Sequence, residues 1–180
     1  RRRETELGML YDGVRDIASS LELDVVLERI CEAGARVLGC RAAAIRLLDT
    51  AGAQVEFAAS FGLSRDYREE VPGEMARSRL DRDTLLDGVT HVRDTSNDER
   101  VWHPDRVREE GIASMLSVVI PGRSGPLGVL RAYGGTGHRF GDEDVEFLQA
   151  VAAQGGDAIE HAKAYRILAD LDRDKSRFLR

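Results

Sequence analysis

The chain has 180 residues, 32% of them charged, and a formal net charge of −6. That acidic balance lacks the basic stripe a nucleic-acid footprint needs, and the length suits one domain with room for helical extensions. No apolar run approaches the roughly 20 residues of a membrane span, no signal peptide is visible, and Cys31 and Cys40 are too few and too badly spaced for a zinc site. Two thiols in such a chain point to a reducing cytoplasm, not a disulfide scaffold. Arg1, Arg2 and Arg3 form the only basic run, read as a linker edge or a juxtamembrane cluster.

Leu7, Leu10, Val14, Ile17 and Leu21 recur at spacings of 3, 4, 3 and 4, a narrow seam that predicts a signalling and dimerisation helix over residues 1–20. Asp24 is a good N-cap for a second helix running to about Leu38, with Gly39 closing it. Ala42 to Leu48 is apolar apart from Arg46, Asp49 to Gly52 reads as a turn, and Gln54 to Ser60 reads as the return strand of a hairpin. Residues 61–112 are less regular, punctuated by Gly62, Pro72, Gly73, Gly88 and Gly111. Within them a short helix is predicted over Ser78 to Leu86, a brief strand over Thr90 to Val92, and another helix from Pro104. Ala113 to Ile120 and Leu127 to Tyr133 form a second hairpin about the turn Pro121 to Pro126. Asp142, Glu143 and Asp144 favour a helix start, and helical text continues from there to Arg180. Val145, Leu148, Ala152, Gly155, Ile159 and Ala162 keep a three-four rhythm that slips near Ala164, after which Leu168, Leu171, Lys175 and Phe178 carry a new seam. The whole predicts an α+β fold, an antiparallel sheet with helices on one face, and heptad seams at both ends predict a homodimer.

Four pieces in order carry a family resemblance. Asp49-x-x-Gly52 after Ile45-Arg46-Leu47-Leu48 resembles the first hairpin of GAF domains. Gly111 to Ile120 resembles the fourth strand, and Pro126 to Leu130 the fifth. Phe140-x-x-x-Asp144-x-x-Phe147-Leu148, followed by Ala152, Gln154, Ala158, Ile159 and Ala162, resembles the C-terminal helix. The resemblance implies a GAF-like antiparallel sheet of five or six strands backed by helices, with long N- and C-terminal helices and a sensory domain over residues 21–165. Lys175-Ser176-Arg177-Phe178-Leu179-Arg180 resembles the lead-in to the phosphoacceptor helix of bacterial sensor histidine kinases. Residues 166–180 are then the start of a linker helix to a kinase domain beyond the chain. The implied function is a cytoplasmic sensory module that detects a small-molecule or redox signal and relays it through a dimeric helical linker. A response regulator would be reached through the kinase domain, with the parent an ATP-dependent protein histidine kinase. Two alternatives stay open: a ligand-free dimerisation and relay domain, and a GAF regulator of another output such as a phosphatase or diguanylate cyclase.

The resemblance names no ligand. Tetrapyrrole-binding GAF domains often attach their bilin through a Cys beside a His, where this chain has Trp102-His103 and no thiol. Cyclic-nucleotide binders often carry an Asn-Lys pair that is absent near Tyr133, and Phe140, Asp142 and Glu143 only echo the rest of their signature. Haem would need an axial His, for which His103 is better placed than His91, His138 or His161. Arg46 and Arg131 interrupt apolar strands. Either they meet on the ligand-side face, where two guanidiniums favour an anion, or they lie at the sheet surface paired with loop carboxylates, the plainer expectation. The candidate ligand-binding residues are Arg46, Trp102, His103, Met115, Ser117, Arg131 and Tyr133. No Ser-His-Asp order, zinc spacing, phosphate loop or carboxylate pair suggests catalysis. The fold also includes a reductase of free oxidised methionine, which needs pocket cysteines, but Cys31 and Cys40 read as packing residues.

Overall fold

The computed structural model describes residues 4, 8, 23–49, 51–52, 54–70 and 78–179. The predicted N-terminal seam of Leu7, Leu10, Val14, Ile17 and Leu21 lies outside them.

Helix α1 (Leu23–Leu38) buries one stripe, Val26, Leu27, Ile30, Cys31, Gly34, Ala35 and Leu38. It ends at Gly39, whose φ of 59° lets the chain turn back at little steric cost. Strands β1 (Ala42–Leu48) and β2 (Val55–Phe61) form the first hairpin. Three short helices and a strand follow: α2 (Arg65–Glu70), α3 (Arg79–Asp87), β3 (Val89–Val92) and α4 (Pro104–Glu109). Strands β4 (Ser114–Gly122) and β5 (Gly125–Gly134) form the second hairpin, and α5 (Asp142–Phe178) is one continuous helix. The sheet is antiparallel, in the order β2-β1-β5-β4-β3, so the two hairpins join through β1 and β5.

Side-chain alternation divides this sheet into two working faces. Ala43 and Ile45 of β1, Leu116, Val118 and Ile120 of β4, and Leu130 and Ala132 of β5 point toward α1 and α5 and share a core with their buried stripes. Ala42, Ala44, Met115 and Tyr133 point the other way, into a second core with Leu63, Tyr67, Leu80, Val92, Val101, Val107 and Ile112. Helices therefore do not back one face alone: α2, α3 and α4 contribute Tyr67, Leu80 and Val107 to the opposite one. Helix α2 was not anticipated, because Arg65-Asp66-Tyr67-Arg68-Glu69-Glu70 has no apolar period. It is set by a tertiary contact: Ser64 caps it through a 3.2 Å bond from the Tyr67 N–H, and Glu110 holds Ser64 by accepting from its N–H and hydroxyl.

Where α5 crosses β4, the backbones nearly touch. A Cβ on Gly156 would collide with the Pro121 carbonyl oxygen, a backbone atom that cannot swing aside. A Cβ on Gly155 would meet only the end of Ile30, at 3.0 Å from its Cδ1. Alanine gains about 1 kcal/mol over glycine in a helix interior, whereas overpacking costs about 1–3 kcal/mol. Gly156→Ala is therefore expected to lower stability by about 1–2 kcal/mol and Gly155→Ala to stay near neutral, both read from urea midpoints. Equal stability of the Gly156 variant and the parent would mean that α5 does not dock on β4 this closely.

Candidate functional site

The second face of the sheet carries a polar row inside its apolar core. Thr90 of β3, Ser117 of β4, Arg131 of β5 and Ala44 of β1 are paired side by side across the strands. Arg46 sits two residues along β1, opposite Val129. A register irregularity between Ile45 and Arg46 in the β1–β2 pairing adjoins it, and bulges of this kind commonly re-aim a side chain.

Both arginines are buried, Arg46 retaining 3% and Arg131 4% of their accessible surface. Neither lies at the sheet surface, and their shared carboxylate comes from a helix rather than a loop. Asp81, the third residue of α3 and 1% exposed, accepts a 2.7 Å hydrogen bond from Arg131 Nη2, and its second oxygen lies 3.5 Å from Arg46 Nε. Local chemistry presents it: the Ser78 hydroxyl accepts from the Asp81 N–H and starts the helix there. Thr84, one turn on, shares a 2.7 Å hydroxyl contact with Thr90 and pins α3 to β3.

The rest of the network orients the two guanidiniums. Arg131 Nε donates to Ser117 Oγ at 2.6 Å, and Arg46 Nη2 donates to the Tyr133 hydroxyl at 3.0 Å. Tyr67 of α2 stands edge-on to Tyr133, with ring centroids 6.4 Å apart, and burial pushes its hydroxyl well above the phenol range. Burial alone would raise the Asp81 carboxyl, but Arg131 and then Arg46 outweigh it and hold the group below its ordinary value. Burial likewise opposes the charge on Arg46, and Tyr133 and Asp81 more than restore it. Arg46 Nε and Nη1 find no hydrogen-bond partner among the described residues.

Above this network lies a cavity of about 60 Å³. Arg46, Arg131, Trp102, His103 and Met115 line it, so five of the seven residues singled out from sequence share its wall. Ser117 and Tyr133 support the arginines from the sheet. Sequence reasoning missed Tyr67, Ser78, Arg100 and Arg106 on the wall and Asp81 behind it. Arg100 holds Asp98 through two guanidinium bonds and donates to the His91 carbonyl, and Arg106 meets Glu70 and Glu109. His103 adopts the left-handed region at φ 52°, the only non-glycine residue to do so among those described. Such strain costs on the order of 1–3 kcal/mol and gathers at ligand-facing positions. Trp102, half-exposed, stands edge-on to His103 at the rim.

The remaining histidines sit elsewhere. His91 and His138 pack against Phe140, at centroid distances of 6.1 and 4.7 Å, and burial lowers the His91 pKa with help from Arg93. His161 is exposed on α5. Neither thiol lines the cavity. Cys31 is buried in the α1 core, where desolvation drives its pKa up, and burial pushes Cys40 up to about 11.

The Asp81 interactions carry a stability prediction with a definite sign. Asp81→Ala leaves two buried cations without their anion and is expected to cost about 3–5 kcal/mol in chemical denaturation. Because the folded-state pKa is depressed, the stabilisation is whole above the ordinary carboxylate value of about 4 and is lost as pH falls below it. Asp81→Asn should accordingly show a flatter loss of stability than the parent between about pH 4 and pH 2. Parallel curves for the two proteins would show that Asp81 is not paired.

No curated protein matches the chain. Among solved structures it is similar to the GAF domain of a phosphoenolpyruvate-protein phosphotransferase from Acinetobacter, with 23% identity and a TM-score of 0.68 over 89% of this chain and 96% of that one. It is also similar to a domain of a Sinorhizobium meliloti protein described as a two-component sensor histidine kinase, at 24% identity and TM-score 0.65, covering 80% of this chain and 94% of the other. Free methionine-R-sulfoxide reductase from Neisseria meningitidis, in complex with its substrate, gives 14% identity and TM-score 0.70 over 91% and 93% of the two chains. At these identities the likeness shows the fold alone. A family model for the GAF domain matches residues 20–160, most of the chain, and with that match the protein belongs to the GAF domain family.

Proposed function

We propose that this GAF domain is the sensory module of a two-component sensor histidine kinase and that it passes a small-molecule or redox signal along α5 to a kinase domain. The observation that carries the proposal is the course of α5. Its first half is part of the core, burying Leu148, Val151, Ala152, Gly155, Gly156, Ala158, Ile159 and Ala162. It then continues as regular helix to Phe178, and nearly every residue after Lys163 is exposed. Leu168, Leu171 and Phe178 are 65%, 61% and 92% exposed. At about 100° per residue they fall on the half of the helix opposite Ala162. One rod thus presents an apolar face to the domain first and an unpartnered apolar face away from it afterwards.

That geometry suits a linker helix that pairs with a second copy and reports strain in the sheet as a change in helix packing. Lys175 on the same seam would keep the pairing weak enough to switch. The resemblance of Lys175 to Arg180 to a phosphoacceptor lead-in supports the kinase output, as does the likeness to the Sinorhizobium meliloti domain. No helix among the described residues is long and apolar enough to cross a membrane.

Two measurements test the proposal. Light scattering on the 180-residue chain is expected to give a dimer mass, and the double variant Leu168→Asp/Leu171→Asp a monomer with unchanged thermal stability. The full gene product, incubated with labelled ATP, is expected to acquire an acid-labile phosphoryl group whose yield falls at least about tenfold in the same double variant. A monomeric parent, or a full-length product that takes up no label, would contradict the reading.

A further inference from the structure

The buried charges beneath the cavity do not cancel. Arg46 and Arg131 bring two cations to one anion, Asp81. Of the other charges nearby, Arg100 pairs with Asp98, and Arg106 with two carboxylates, Glu70 and Glu109, of which Glu70 also lines the cavity. Glu110, also buried, spends its carboxylate on Ser64 and does not line the cavity. Within this buried triad cations outnumber carboxylates two to one, and Arg46, which lines the cavity, has no hydrogen-bond partner for Nη1 among the described residues. An unbalanced buried charge of this kind is costly, and a bound counter-charge relieves it.

We infer that the cavity takes a compact organic monocarboxylate, held by Arg46 and Arg131, with its apolar body against Leu80, Val101, Val107 and Met115. The inference rests on reading the domain as a sensory module and names the class of its ligand. One bound carboxylate brings that triad to two charges of each sign. A phosphate or sulfate would overshoot that balance, placing excess negative charge beside Asp81 and the cavity-lining Glu70. A planar carboxylate also matches the planar fork of a guanidinium. The small volume and the apolar wall favour a short acid over a nucleotide or a tetrapyrrole.

The chain carries its own reporter, since Trp102 is its only tryptophan and lines the cavity. Acetate, propionate and butyrate, titrated at constant ionic strength into the 180-residue protein, are expected to give a saturable change in Trp102 fluorescence with at least one of the three. Propionamide, which has propionate's shape without its charge, should bind at least about tenfold more weakly. Phosphate and sulfate should do no more than chloride. Arg46→Met leaves Asp81 and Arg131 as a one-to-one pair and should abolish saturation while the protein stays folded by circular dichroism. If that variant unfolds, the acid-against-amide comparison on the parent still decides. No saturable response to any of the three acids, an equal response to propionamide, or an unchanged titration in folded Arg46→Met would overturn the inference. Binding is read on this chain alone and phosphorylation on the full gene product, so either can fail without the other.

Discussion

A buried carboxylate shared by two buried guanidiniums sets the terms for one whole face of this domain. Asp81 cannot stay ionised in an apolar core without Arg131 and Arg46, and the arginines cannot be buried without it. The 2.7 Å bond from Arg131 to Asp81 therefore fixes where α3 sits on the sheet. Ser78, at the helix start, and the Thr84–Thr90 contact beyond it keep the helix in that place. Asp81 and Leu80 belong to the same short helix, which Ser78 caps, so docking the carboxylate also builds one wall of the cavity. A small polar network thus does the positioning that a larger apolar surface does on the other side.

The two faces of the sheet are packed differently. The face toward α1 and α5 is apolar, with Ile30, Ile45, Leu116, Ile120, Leu130, Leu148 and Ile159 fully buried. Close approach at Gly156 couples α5 to β4 with little slack. The opposite face is covered by helices of six to nine residues and carries polar contacts that depend on charge. Strands β4 and β5 are common to both faces, so Ser117 and Arg131 on one side share a strand backbone with Leu116 and Leu130 on the other. A change in the charge balance around Arg46 and Arg131 has a short path to α5, and α5 runs on as a single helix beyond the domain.

Much of this fold was legible in the sequence because its signals are local. Apolar runs bounded by turn chemistry pointed to both hairpins, and the three-four rhythm from Val145 to Ala162 pointed to the helix that backs them. Arg46 and Arg131 stood out as charges breaking apolar strands, and Trp102-His103 as aromatics in an irregular stretch. Other features depend on partners far along the chain. Asp81 lies among Arg79, Arg82 and Asp83, and nothing nearby distinguishes it from a solvated helix residue. Its burial is decided by Arg131, 50 residues away. Helix α2 has no apolar period, and its cap is held by Glu110 from 46 residues away. The surface placement expected for the two arginines was wrong for the same reason. A surface location is the default for an arginine only while no carboxylate is known to reach it in the core.

Asp81 and Arg131 act as one unit that ties α3 to the sheet. A double-mutant cycle on Asp81→Asn and Arg131→Gln, read by urea denaturation at neutral pH, measures that coupling without counting what each side chain does alone. The expected coupling energy is about 2 kcal/mol or more, at the upper end for contacting pairs. Additivity within about 0.5 kcal/mol would show that the two groups are energetically independent and that the cavity wall is held by something else.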